Sequence, residues 1–182
     1  MTLRFVLDPE LTPDLRDRIV TLWTEVTNAG GAVGLVAPVD LEQVRAFAAP
    51  TFDGIVSGPD RLLLGYRNDQ PTAALIFSDN RFALKAHWRV LKRVMVHPDA
   101  QGLGYGTALL REAERLGRQL GWAALHVTVR GGHRLEEFYL RCGYREVGRL
   151  PGALRVGPGD DREEILMWLD LDQPPAEAGP GG

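Results

Sequence analysis

Apolar residues recur at Leu15, Ile19, Leu22 and Val26, at i, i+4, i+7 and i+11, which predicts an amphipathic helix over about Thr12 to Asn28. Thr12 followed by Pro13 suits an N-cap with proline at the first helical position. Asp40 with Gln43 reads as a capping box that opens a second helix, and Pro50 is expected to end or break it. Leu3 to Leu7 reads as a first strand. Arg61 to Tyr66 and Thr72 to Ser78 read as two more, joined by the turn Arg67-Asn68-Asp69-Gln70-Pro71 into a hairpin. His87 to Val96 is a further extended run. From Gly104 to Leu120, Leu109, Ala113, Leu116 and Leu120 face one way while Arg111, Glu114, Arg115 and Arg118 face the other, and Gly121 stops this helix. Ala123 to Val129 is a strand, Leu135 to Arg141 a short helix with Leu135, Phe138 and Tyr139 on one face, and Tyr144 to Gly148 begins another strand. Glu163 to Leu169 is the last strand, reached through a long connection from Leu150 to Asp161.

The order β-α-α-β-β-β-α-β-α-β-β predicts a single α/β domain over residues 1–172, with a mixed sheet that is antiparallel early and has crossover helices later. The tail, 173–182, holds three prolines, three glycines and no large apolar residue, and is expected to be disordered. At 182 residues and 45% hydrophobic composition the chain is a globular domain rather than a disordered one. A net charge of -3 argues against general attraction to nucleic acid or to an anionic membrane. No apolar run is long enough to span a membrane, and the first residues lack signal-peptide character, so a cytoplasmic location is expected. The single cysteine, Cys142, allows no internal disulfide and no thiolate-rich zinc site, and no metal is expected.

Chemistry concentrates in Val94-Met95-Val96-His97-Pro98-Asp99-Ala100-Gln101-Gly102-Leu103-Gly104-Tyr105-Gly106-Thr107. A strand ends there and alternating glycines open an amphipathic helix. Such a junction leaves first-turn N–H groups free, adds the positive end of the helix dipole, and lets an anion approach the backbone closely. Phosphate is the natural ligand. The dinucleotide fingerprint fails, because glycine would be needed at Thr107 or Leu109, and no lysine follows Gly106 to make a P-loop.

The pattern Val94-x-Val96-x-Pro98-x-x-Gln101-Gly102-x-Gly104-x-Gly106 resembles the acyl-CoA signature of the GNAT acetyltransferase superfamily. Phe138-Tyr139-x-x-Cys142-Gly143-Tyr144 resembles that family's second motif, and the element order is similar from Leu3 to Leu169. The resemblance implies a largely antiparallel central sheet flanked by helices, with a strand pair splayed at the acyl-CoA site. It implies acetyl-CoA as co-substrate and a small-molecule or protein amine as acceptor, attacked directly in a ternary complex. Under it, the backbone of Gln101, Gly102, Leu103, Gly104, Tyr105 and Gly106, with the Thr107 hydroxyl, holds the pyrophosphate. Val94, Met95 and Val96 align the pantetheine arm, and an N–H there polarises the thioester carbonyl. Tyr139 matches the tyrosine near the CoA sulfur and is the candidate acid for the departing thiolate. A homodimer is common for this fold. A protein that binds acyl-CoA as a sensor without turnover is the alternative reading.

Other positions carry weaker expectations. Gly132 stands where family members often have an asparagine that helps to hold the CoA arm. Glu25, Asp79, His87 and His97 are each candidates for the general base, and each also suits a cap or a solvated position. Cys142, at a helix end, reads as structural rather than nucleophilic. His133 reads as a surface residue. Within the long connection, Arg155 is placed to meet an acidic acceptor, and Asp160 or Asp161 a basic one. Trp23 or Trp88 is a candidate lining residue among four scattered tryptophans.

Overall fold

The computed structural model describes residues 3–172. In order they form β1 (Arg4–Leu7), α1 (Pro13–Asn28), α2 (Leu41–Val56), β2 (Arg61–Arg67), β3 (Gln70–Ser78), β4 (Trp88–Val96), α3 (Tyr105–Gln119), β5 (Ala124–Arg130), α4 (Leu135–Arg141), β6 (Arg145–Gly157) and β7 (Asp160–Asp170). This is the expected succession of elements. The seven strands make one sheet in the order β1-β2-β3-β4-β5-β7-β6. Every neighbouring pair is antiparallel except β4–β5. The tail from 173 onward, with its expected disorder, lies outside the described residues.

Strand alternation divides the core in two. Leu63, Leu75, Phe77, Leu91, Leu125 and Ile165 point to the side covered by α3 and α4. Leu62, Leu64, Ala74, Ile76 and Met95 point to the side covered by α1 and α2. Both N-terminal helices begin as their sequences predict. The Thr12 hydroxyl accepts from the Leu15 N–H at 3.2 Å. Asp40 and Gln43 cap each other's backbone at 2.8 and 2.9 Å. The β2–β3 turn places Asn68 and Asp69 at φ of 49° and 58°, the left-handed pair that a two-residue hairpin needs.

Two expectations are corrected. Pro50 neither ends nor breaks α2, which continues to Val56. Proline costs the helix one hydrogen bond, about 3 kcal/mol in an interior position. Against that, Val44, Ala48 and Phe52, at four-residue steps, are at most 5% exposed, and each large apolar side chain buried contributes about 1.5–3 kcal/mol. The stretch from Leu150 to Asp161 is not a loose connection. It belongs to a long β6–β7 hairpin that closes at Pro158-Gly159. β6 is an edge strand, where Pro151 interrupts no ladder. A register shift between Leu150 and Leu154 absorbs the extra residues around Gly152. Arg155 pairs with Asp161 at 2.7 Å and Arg162 pairs with Asp160. These side chains pair with one another across or beside the turn.

Candidate active site

The sheet opens at its centre. β4 and β5 pair only at Trp88↔Ala124, Arg89↔Leu125 and Val90↔His126. Beyond those three rungs each strand runs on without the other as partner. β4 also bulges there. Between its rungs to β3 at Lys92↔Ile76 and Met95↔Ala74, Arg93 and Val94 lie opposite Leu75 alone. Arg93 takes φ 53°, a left-handed conformation that costs a non-glycine residue roughly 1–2 kcal/mol. The extra residue reverses the alternation of side chains. Leu91 faces the α3 core, yet Met95, four residues on, faces the α1–α2 core. Val94 and Val96 swing to the α3 side. The sequence carries no sign of this bulge.

β4 ends in the glycine-rich turn. The Gln101 N–H donates to the Pro98 carbonyl at 3.2 Å, and its side-chain amide donates to the Val96 carbonyl at 3.1 Å. Gln101 therefore closes the turn back onto the strand. Gly102 and Gly104 take φ of 76° and 81°, with open space where a side chain would stand. No side chain caps α3. Ala108 donates to the Gly104 carbonyl at 3.0 Å. Among the described residues, the amides of Gly102, Leu103, Gly104, Tyr105, Gly106 and Thr107 have no internal acceptor. Six successive free donors at the positive end of a helix suit a pyrophosphate. Gly106 packs closely, since a Cβ there would stand 3.1 Å from the Phe138 ring.

Tyr139, on α4, is buried in the core on the α3 side of the sheet. Its ring is 5% exposed and meets Phe138 and Tyr144 edge-on at 5.2 and 5.4 Å. Burial pushes its phenol well above the ordinary value, so it is held in the protonated form. The Tyr144 hydroxyl is sealed from solvent without a partner, whereas that of Tyr139 is not. Cys142 is half-buried beside the Thr107 hydroxyl, and burial pushes its thiol up. That is the setting of an unreactive cysteine. Gly132 sits at φ 93° against Arg162, and His133 is exposed.

The candidate bases separate. Asp79 is engaged with Arg89 at 3.0 Å and with the Arg81 N–H at 2.6 Å. His87 is exposed beside the first rung. Glu25 and His97 come together, Oε2 to Nε2, at 3.0 Å. His97 Nδ1 accepts from the Asp99 N–H at 3.1 Å, so Nε2 carries the proton toward Glu25. The pair lines a cavity of about 450 Å³ between α1 and the β2–β3 turn, away from the bulge.

A group that the sequence does not single out occupies the apex of the opening. His126 lies on the last shared rung. Leu125, Val127 and Val129 enter the α3 core, so alternation turns His126, Thr128 and Arg130 to the opposite face. The Arg130 guanidinium confirms that direction by donating to the Gly30 carbonyl, in the α1–α2 loop, at 3.3 Å. His126 Nδ1 lies 2.9 Å from the Met167 carbonyl. It must carry the proton, which leaves the Nε2 lone pair free. Trp88 and Trp168 flank the ring at 5.8 and 6.2 Å. Trp88 stands on the first β4–β5 rung, while Trp23 is buried and donates to the Val33 carbonyl at 3.0 Å. Burial lowers the His126 pKa against a smaller opposing effect of the Met167 carbonyl, so the imidazole is neutral at pH 7. Its orienting partner lies 41 residues away, beyond the reach of any local motif.

The model of the acetyltransferase (GNAT) family matches residues 36–144, which span α2 through α4. The chain belongs to this family. Solved structures share the fold of this GNAT domain. The ribosomal-protein-alanine N-acetyltransferase of Brucella melitensis superposes with a TM-score of 0.70 at 20% identity, over 93% of this chain and 99% of that one. A Salmonella typhimurium protein, YncA, solved with its cofactor acetyl-CoA, gives 0.72 at 18% identity, over 99% and 100%. An N-acetyltransferase from Staphylococcus aureus gives 0.72 at 11% identity, over 92% and 99%. At these identities the likeness is one of fold. Among the described residues of the GNAT domain, no group of three or more histidine, cysteine or acidic side chains is placed to hold a metal. No helix among them is long and apolar enough to cross a membrane.

Proposed function

We propose that the protein transfers an acetyl group from acetyl-CoA to a primary amine, on a small molecule or a protein, by direct attack within a ternary complex. One observation carries this reading. A strand that loses its partner after three rungs leads, through a bulge, into six free amides at a helix start. That arrangement offers hydrogen bonds along a slot for a polar arm and a cradle for its pyrophosphate.

In this reading the amides of Gly102 to Thr107 hold the pyrophosphate. Val94, Met95 and Val96 align the pantetheine arm along the unpartnered edge of β4. The Val94 N–H, re-aimed by the bulge, faces the oxygen on which negative charge develops. Tyr139 donates its proton, or a strengthening hydrogen bond, to the departing thiolate. His126 takes the proton of the attacking amine through a water at Nε2. Calorimetric titration with acetyl-CoA, CoA and desulfo-CoA tests the donor half. Micromolar binding is expected, and no binding at millimolar ligand would overturn the reading.

A further inference from the structure

The connection between β3 and β4 carries a positive charge to the aromatic cluster around His126. Ala83–Lys85 is a single 3₁₀ turn, in which the Lys85 and Ala86 N–H groups donate to the Phe82 and Ala83 carbonyls at 2.9 and 3.2 Å. The Asn80 side-chain amide donates to the carbonyls of both Lys85 and Trp88, each at 3.0 Å. One amide thus ties the turn to the first residue of β4. The Lys85 ammonium is seated over the Trp88 ring, 5.6 Å from its centre, within the range of a cation–π contact. The acids beside this connection, Asp60 and Asp79, are engaged by Arg81 and Arg89. Among the described residues Lys85 forms no ion pair, so its charge is not cancelled locally.

The same Trp88 ring meets His126 at 5.8 Å, with the planes at 87°, and Trp168 at 5.2 Å. Through this one indole the ammonium stands within about 12 Å of the imidazole, close enough for a unit charge to act where apolar rings displace the intervening water. Other charged groups share this face of the sheet: Lys92 on β4, Arg130 on β5, and Glu164 and Asp170 on β7. Lys92 and, just before the strand, His87 are exposed, Arg130 is turned to the Gly30 carbonyl, and Asp170 accepts from the Asp172 N–H. Arg145, on β6, shares a rung with Trp168. Burial draws the His126 pKa down. The Met167 carbonyl and Glu164 push it up, and Lys85 pushes it down. Of the cations on these elements, Lys85 is the one that acts on the ring.

We propose that Lys85 is a positioning residue for the base: seated on Trp88, its ammonium keeps His126 in the neutral form that takes a proton from the amine. This rests on the acetyl-transfer reading for the role of His126, but the coupling itself is measured without turnover. A base works only when unprotonated, so a fixed cation nearby extends the acid side of its working range. The ammonium is exposed, so salt must weaken its effect, whereas salt would leave a packing effect of the same side chain in place. In protein carrying ¹³C-labelled histidine, the four ring signals are titrated from about pH 4.5 to 8.5, and that of His126 is assigned by its loss in His126→Gln. Lys85→Met keeps an apolar stem on Trp88 and should raise the His126 midpoint by about 0.3–1 pH units at low salt. Lys85→Arg should keep the native midpoint, and the His97 and His133 midpoints should not move. Potassium chloride at about 1 M should remove at least half of the difference between Lys85→Met and the native protein. An unmoved His126 midpoint in Lys85→Met, or a rise that the salt leaves intact, overturns the proposal.

The turnover arm follows the acid limb of the log kcat/KM profile. In Lys85→Met that limb should move to higher pH by as much as the His126 midpoint does, which lowers kcat/KM on the limb by about two- to tenfold relative to the plateau. Lys85→Arg should restore it. A His126 midpoint that moves while the kinetic limb stays still overturns His126 as the base and leaves the coupling to Lys85 standing. The same midpoint shift in a protein that transfers no acetyl group overturns the proposed reaction alone.

Discussion

Replacing Tyr139 by phenylalanine separates a packing role from a chemical one. The ring is 5% exposed and makes edge-on contacts with Phe138 and Tyr144, all of which phenylalanine retains. Only the hydroxyl goes, and among the described residues it has no hydrogen-bond partner. An unsatisfied polar group costs about 1–3 kcal/mol when fully desolvated. The hydroxyl is buried but not sealed, so its removal should be neutral or stabilise by up to about 1 kcal/mol. For a domain of this size that is a rise in Tm of about 2–4 °C. A proton donor to the leaving group contributes about 10²–10⁴-fold to the rate, and kcat should fall by at least about the lower figure. The affinity for acetyl-CoA should stay within about twofold. Tyr144→Phe is the matched control. Its hydroxyl is sealed without a partner, so it should stabilise at least as much and leave kcat unchanged. Calorimetric melting and steady-state thiol release read both quantities on the same samples. A Tyr139→Phe enzyme with undiminished kcat would refute the acid role and return Tyr139 to the core.

Gly104→Val should weaken acetyl-CoA binding by about 100-fold or more, because a β-branched residue resists φ 81° and turns the amides away; circular dichroism should show the fold intact, and unchanged affinity by calorimetry would dismiss the phosphate turn. His126→Gln should lower kcat/KM by about 10²-fold. In the native enzyme the log kcat/KM profile should rise with pH through an apparent pKa below the ordinary histidine value, because the base acts when neutral and burial lowers its pKa. The linked stability has the same sign: the unfolded chain binds this proton more readily, so His126 costs stability as pH falls below about 6.5, and chemical denaturation of the native protein against His126→Gln between neutral and mildly acidic pH should show it. Asp40→Ala removes one half of a capping box and should cost about 0.5–2 kcal/mol by urea denaturation, with kcat untouched.

Much of the architecture was legible because it is set by local physics. The Leu15–Val26 stripe, the Asp40–Gln43 box, the presence of a β2–β3 hairpin and the limits of α4 all depend on residues within a few positions of one another. The glycine turn was legible for the same reason. Pro50 misleads because its helix is held by contacts with α1, which outweigh the broken local bond. Residues 150–161 misled because glycine, proline and acid suggest a loop, while pairing with β7 keeps them extended. Neither His126 nor Arg93 announces itself. His126 is a polar residue on the alternate face of an ordinary strand, and Met167 orients it only after β7 returns beside β5. Arg93 owes its direction to a bulge that is defined by the register with β3.

The three rungs between β4 and β5 also have a mechanical consequence. They make the sheet two leaves, β1–β4 and β5–β7–β6, sewn together over a short seam and backed by α3. A polar arm lying in the slot would supply the stitches that the protein omits beyond Val90 and His126. Substrate would then act as part of the sheet, tightening both leaves. Amide exchange along the free edges of β4 and β5 should slow when acetyl-CoA binds, and the whole domain should gain stability by mass action.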